Sequence, residues 1–216
     1  DRSASAAPTP APTASSSPAP TAAPTPVPTV TTEVVREVKV PGEPDWSAVY
    51  RAHEASVVQV TSTECYSSQG ATGTAFFVAP DLLATAAHVV DLASRSTVEI
   101  DGQHVTTELV GLDRGMDLAL LRVDGSYDDR VLELSRELPA IGTEHAVIGF
   151  PSRDPGTGKS MQTGVVSAVD VDHQLPDGST REGMVQSDAQ TEQGSSGAPY
   201  LDRDGRVIGI DDRYAG

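Results

Sequence analysis

From Ser56 onward, short apolar segments rich in β-branched residues recur between Gly, Asp, Ser and Pro, and this rhythm is the strongest constraint on what the chain can fold into. VVQVTST, TAFFVAP, LLATAAHVV, TVEI, HVTTELVGL and DLALLRV form a first set. After a polar connection from Tyr127 to Ala140 comes a second: EHAVIGFP, SMQTGVVSAVD, GMVQSDA, APYLD and RVIGIDD. Such residues suit a pleated, half-buried surface, and the Gly and Pro between them mark turns. The pattern predicts an all-β protein of closed antiparallel barrels, with about six and five strands on either side of a boundary near Leu134 to Ile141. A short helix is predicted ahead of them, with Asp45 as N-cap and Trp46, Val49 and Tyr50 at helical spacing. Still earlier, VVREVKV (Val34 to Val40) reads as a short strand or extended lead-in, broken by Pro41-Gly42-Glu43-Pro44.

The first 32 residues are of another kind. They are Pro, Ala, Thr and Ser, with Asp1 and Arg2 the only charges, and hold eight of the 16 prolines. A segment so poor in apolar side chains cannot build a core. Residues 1–44 are expected to form a disordered, partly polyproline-II spacer. Residues 45–216 are expected to form the folded domain, its first barrel at about 56–133 and its second at about 141–216.

Of the 216 residues, 31 are acidic and 15 basic, a net charge of −16 spread along the folded part, which argues against a nucleic-acid partner. No apolar run approaches the roughly 20 residues of a membrane span. The chain opens on Asp1 rather than Met, so a removed signal peptide or anchor is expected, and with it an extracellular or cell-envelope location. The lone Cys65 cannot pair within the chain and is expected to be a buried thiol.

Gln193-Gly194-Ser195-Ser196-Gly197-Ala198-Pro199 is the stretch with chemistry in it. A serine hydroxyl becomes a useful nucleophile only beside a base and beside backbone N–H groups that can meet an oxyanion. Glycines on either side permit the backbone such a turn needs. His88 lies at the end of LLATAA, where a strand meets a short helical turn, and Asp117 lies immediately before LALL. His, Asp, Ser is one of the known chain orders for a base, its orienting carboxylate and a nucleophile.

TAAHVV (Thr85 to Val90), DLALL (Asp117 to Leu121) and GSSGAP (Gly194 to Pro199) resemble the three signature blocks of the chymotrypsin-fold serine proteases, and within that fold the likeness is closest to the bacterial HtrA/DegP group. GATGTAFFV, AVIGFP, QTGVVS, VQSDA and GRVIGI resemble supporting blocks of that group, so the likeness runs from Val57 to Asp212. It implies two six-stranded antiparallel barrels with the site in the cleft between them. It further implies a triad of His88, Asp117 and Ser196, an oxyanion hole of the Gly194 and Ser196 N–H groups, polypeptide substrates, and no metal or cofactor. By position in the motifs, Ala189, Gln190, Ile210, Asp211 and Asp212 are implied to form the substrate pocket, with small or medium apolar side chains preferred. Some HtrA-like enzymes assemble through N-terminal segments, but residues 1–55 carry no sign of such an interface and leave the oligomeric state open.

The chain departs from the pattern at three places. Ser195 stands where related enzymes carry Asn or Asp, so a salt bridge to a newly cut N-terminus is not expected. Ala198 replaces a glycine and would be strained if its φ were positive. The chain stops at Gly216, before the final strand the resemblance calls for, so the C-terminal end is expected to be incomplete. These departures keep open a second reading, a catalytically weak or inactive protease-like module that binds peptides or partners through the cleft. The remaining histidines, His53, His104, His145 and His173, lack metal-ligand spacing and read as surface or structural residues. Asp91 reads as a solvated turn carboxylate, Asp113 as a poorer triad candidate than Asp117, and the acids at Asp128-Asp129 and Asp170 to Asp177 as solvated loops.

Overall fold

A computed structural model describes residues 42–64, 70–151, 158–175 and 178–212; the Pro-rich spacer, the VVREVKV stretch and Cys65 lie outside them. Helix α1 (Trp46–His53) starts where the sequence predicts, with the Asp45 carboxylate accepting the Ala48 N–H at 3.0 Å. It buries Val49 and lays Trp46 and Tyr50 against the sheets.

Six strands follow: β1 (Val57–Glu64), β2 (Gly70–Ala79), β3 (Leu82–Ala86), β4 (Ala93–Ile100), β5 (Gln103–Asp113) and β6 (Leu118–Val123). They close into an antiparallel barrel in the order β1-β2-β3-β6-β5-β4. One helical turn, α2 (Ala87–Val90), joins β3 to β4. The second set is β7 (Glu144–Gly149), β8 (Ser160–Gln174), β9 (Thr180–Ser187), β10 (Pro199–Leu201) and β11 (Val207–Ile210), in the order β11-β10-β7-β8-β9. The two sheets are those of a chymotrypsin-like fold. The second has five strands among the described residues, not six, and is nearly closed, with its gap between β9 and β11.

Side-chain alternation is clearest in the first barrel. In β6, Ala119, Leu121 and Val123 are buried while Leu118, Leu120 and Arg122 face out, the period of two expected of a sheet with one wet face. Strand β2 is buried on both faces. Its Ala75 and Phe77 join Val58, Val60, Leu83 and Leu121 inside the first barrel, whereas Phe76 joins Val57, Ile148 and Leu201 in the seam between the sheets. TAFFVAP is therefore a continuous apolar run because it serves two cores. Phe76 and Phe77 are both fully buried, which stabilises the fold by about 2–3 kcal/mol each.

Strands β8 and β9 change register three times along their pairing, at one of which Asp170 takes a positive φ of 55°. Such irregularities bend a ribbon and re-aim side chains. Beyond the last of them His173 pairs with Arg181, and Arg181 points inward, toward the first barrel's Asp117.

Candidate active site

Strand pairing brings His88 and Asp117 together. Ala86, the last residue of β3, pairs with Leu118, the first of β6, so the residues just beyond them face each other. The Asp117 carbonyl accepts the Ala87 N–H at 2.9 Å, its Oδ1 accepts the His88 N–H at 2.8 Å, and its Oδ2 lies 2.6 Å from His88 Nδ1. An ionised carboxylate only accepts, so the ring proton sits on Nδ1 and Nε2 is left free to act as a base. The carboxylate is buried and the imidazole about half-exposed, 3% against 45%. The Asp117 hydrogen bond, opposed by burial, raises the His88 pKa above its ordinary value. Burial alone would raise Asp117, but His88, by hydrogen bond and charge, brings it below the usual carboxylate range.

Asp117 has a φ of +54°, a left-handed conformation that Asp tolerates better than most residues. The loop before it is shaped by Asp113, whose Oδ1 accepts the Gly115 and Met116 N–H groups at 2.9 and 3.0 Å. Asp113 thus shapes the loop, and of the two it is Asp117 that meets His88. Asp91 differs from expectation: it is not merely solvated but takes a two-point contact from Arg114 at 2.8 and 2.5 Å.

The Ser196 turn rests on strands of the first barrel. Gly194 and Gly197 have φ of +97° and +86°, and a Cβ on Gly197 would lie 2.2 Å from the Thr74 carbonyl oxygen, 2.5 Å from Thr85 Oγ1 and 2.8 Å from the Ala86 nitrogen. Glycine at 197 therefore seats the turn against the end of β3, two residues ahead of His88. Thr74 clamps it twice, its N–H donating to the Ser196 carbonyl at 2.9 Å and its hydroxyl to the Gly194 carbonyl at 2.9 Å. The Ser195 N–H is used up on Glu192 at 3.0 Å and the Gly197 N–H on Asp211 at 2.8 Å. The Gly194 and Ser196 N–H groups make no such bond among the described residues.

At Ala198 the condition for strain is not met. Its φ is not positive, so its Cβ carries no strain. That methyl fills the space left by Gly149, where an added Cβ would stand 3.1 Å from it.

A second charged pair lies against the first, and the sequence offered no sign of its cationic member. Arg181, from β9, ion-pairs with Asp212, just past β11, and its Nη1 is 3.9 Å from Asp117 Oδ2. Burial raises the Asp212 pKa; the Arg181 hydrogen bond opposes this, and the nearby Asp117 adds to it. His88, Asp117 and Asp212 offer donor atoms within 4.8 Å of one another, the spacing of metal ligands, but the Arg181 guanidinium already supplies a cation there.

Beside this cluster a cavity of about 540 Å³ opens between β9 and β11. Ala189, Ile210, Asp211 and Asp212 are among its lining residues, together with Met116, Asp117, Met184, Val185 and Tyr200. Gln190 is exposed and is not part of the lining. Asp211 points away from His88, its Oδ1 accepting the Tyr200 and Thr191 hydroxyls at 3.1 and 3.3 Å. Burial, then Asp211, pushes the Tyr200 phenol well up, so it stays neutral.

The model of the trypsin-like peptidase domain matches residues 73–210. Among curated relatives, the serine protease Do-like HtrA of Bacillus subtilis is 36% identical over 129 residues, 57% of this chain. A probable periplasmic serine endoprotease DegP-like of Halomonas elongata is 33% identical over 144 residues, 64% of this chain. The chain spans only 28% of the length of each. Among solved structures, the active form of the Rv3671c protease from M. tuberculosis superposes with a TM-score of 0.69 at 26% identity, over 78% of this chain and 76% of that one.

Proposed function

We propose that this chain, which belongs to the trypsin-like peptidase domain family, is a serine endopeptidase of the HtrA/DegP kind in which Ser196 is the nucleophile, His88 the general base and Asp117 the group that orients it. The observation that carries the reading is the two-point hold of Asp117 on His88, which leaves Nε2 unengaged on a half-exposed ring.

In this mechanism Ser196 Oγ attacks the carbonyl carbon of the scissile peptide while His88 Nε2 takes its proton. The imidazolium so formed is stabilised by Asp117, which stays ionised. Negative charge gathers on the carbonyl oxygen, and the Gly194 and Ser196 N–H groups meet it; one such donor contributes about 3–4 kcal/mol in related chemistry. The C–N bond then breaks, His88 returns its proton to the departing amine, and an ester remains on Ser196. Water, deprotonated by the same nitrogen, attacks that ester and frees the serine. Polypeptides are the substrates, and the names of relatives such as the periplasmic DegP-like protein support a site of action in the cell envelope. Among the described residues no helix is long and apolar enough to cross a membrane.

Labelling with a fluorophosphonate probe tests the reading. The parent is expected to label and the Ser196→Ala and His88→Ala variants to lose it. A folded parent that stays unlabelled favours the peptide-binding reading instead.

A further inference from the structure

We propose that Arg181 and Asp212 are positioning residues of the catalytic site, a buried ion pair that fixes the Asp117 carboxylate and balances the charge His88 acquires. The inference rests on the catalytic reading of His88 and Asp117 given above.

Four charged or titratable groups from four parts of the fold converge here: His88 from α2, Asp117 ahead of β6, Arg181 from β9 and Asp212 after β11. On β8, His173 faces Arg181 across the strand pair. Arg181 and Asp117 are 6% and 3% exposed and Asp212 11%, so water screens their interactions weakly. With both carboxylates ionised, the two carboxylates, one guanidinium and a neutral imidazole sum to one negative charge. When His88 takes the serine proton the sum is zero, so the cluster is electrically balanced when the imidazolium exists. Removing Asp212 alone would make that state net positive.

Geometry points the same way. Asp117 Oδ1 is committed to the His88 N–H and Oδ2 to the ring, and Arg181 Nη1 stands 3.9 Å from Oδ2. Asp212 is the nearer of the two carboxylates that Arg181 meets and anchors it in that place. The electrostatics agree in sign: after the Asp117 hydrogen bond and charge, Asp212 raises the His88 pKa, and Arg181 lowers it.

The test uses the full chain and reads His88 in two ways. In a Ser196→Ala background, NMR titration of the His88 ring is followed in the parent, in D212N and in the double variant R181M/D212N. With the serine intact, kcat and KM are measured against pH. In D212N the ring pKa is expected to fall by about one unit, the acid limb of kcat/KM to move down equally, and kcat at the plateau to drop about tenfold with KM within about twofold. In the double variant, which leaves no unpaired buried charge, the pKa should return toward the parent value while kcat stays about tenfold low, because charge is restored but position is not. An unmoved ring pKa in D212N overturns the proposal. If D212N does not fold, the double variant decides: an unchanged kcat overturns it and a tenfold loss at constant KM supports it. The ring titration needs no turnover, so a parent that fails to label with fluorophosphonate refutes the catalytic reading without obscuring whether the pair tunes His88.

Discussion

Asp117 grips His88 at two points, one carboxylate oxygen on the ring Nδ1 at 2.6 Å and the other on the backbone N–H at 2.8 Å. Ring and main chain are thereby fixed by a single side chain, itself held in a left-handed backbone conformation. The expected consequence is that Asp117→Asn, nearly the same shape, is severely impaired. Its amide can turn an N–H toward Nδ1, which favours the tautomer with the proton on Nε2, where the base is needed. Turnover should fall by about 10³–10⁴-fold. Loss of both the hydrogen bond and the charge should also lower the His88 pKa. Active-site titration with single-turnover kinetics measures the first effect, and ring NMR the second.

The Thr74 hydroxyl holds the Ser196 turn from the other barrel. It donates to the Gly194 carbonyl at 2.9 Å and accepts the Phe150 N–H at 3.1 Å. Thr74→Val, isosteric but without the hydroxyl, leaves both groups unpaired and should cost about 2 kcal/mol of stability. Freeing the Gly194 peptide also loosens the proposed oxyanion donors, so kcat should fall by more than about tenfold while KM changes little. Equal losses in the two parameters would assign Thr74 a purely structural part. Gly197→Ala is expected to be worse, because a Cβ there meets the Thr74 carbonyl oxygen at 2.2 Å in a backbone region that disfavours any side chain.

Ala198 invites the opposite experiment. Where a glycine would be the family's choice, the alanine methyl packs at the buried face of Gly149 and its φ is unstrained. Ala198→Gly should therefore bring no gain in kcat, and should lower stability by about 1 kcal/mol through lost packing and added chain entropy. Chemical denaturation beside steady-state kinetics checks both. An increase in activity would restore the idea that the alanine handicaps the turn.

How far these features could be read in the sequence depends on whether their causes are local. His88, Asp117 and Ser196 each sit in a contiguous block whose small or apolar neighbours are required by the same geometry that places the side chain, so the blocks were legible. Ala198 could be read only conditionally, because the sign of its φ and the hollow at Gly149, 49 positions away in the chain, are tertiary facts. Gln190 follows Ala189 in the irregular segment after β9, and it is exposed while Ala189 lines the cavity. Arg181 was invisible. A single arginine in a strand has no pattern, and only the register shifts of β8 and β9 and the route of β11 bring it to Asp212 and Asp117.

The histidines predict how stability varies with pH. His145 is fully buried, with Nε2 2.8 Å from the Ser187 hydroxyl and its ring 4.9 Å from that of Tyr200. Burial lowers its pKa below the ordinary 6.5, with Asp188 opposing. In the acid range the unfolded chain then binds a proton that the folded chain refuses, so the stability from this residue is present above pH 6.5 and is lost as pH falls toward the folded pKa. His53, also lowered by burial, acts with the same sign. His88 acts oppositely: its raised pKa stabilises the fold below pH 6.5, and that contribution is lost as pH rises through the folded value. His145→Gln, which keeps a partner for Ser187 but does not titrate, is expected to lose less stability than the parent between pH 7 and the low end of the folded range. The comparison is made in a His88→Ala background by thermal unfolding at a series of pH values. A parent and variant with parallel Tm curves on the acid side would mean that the His145 ring is protonated in the folded protein.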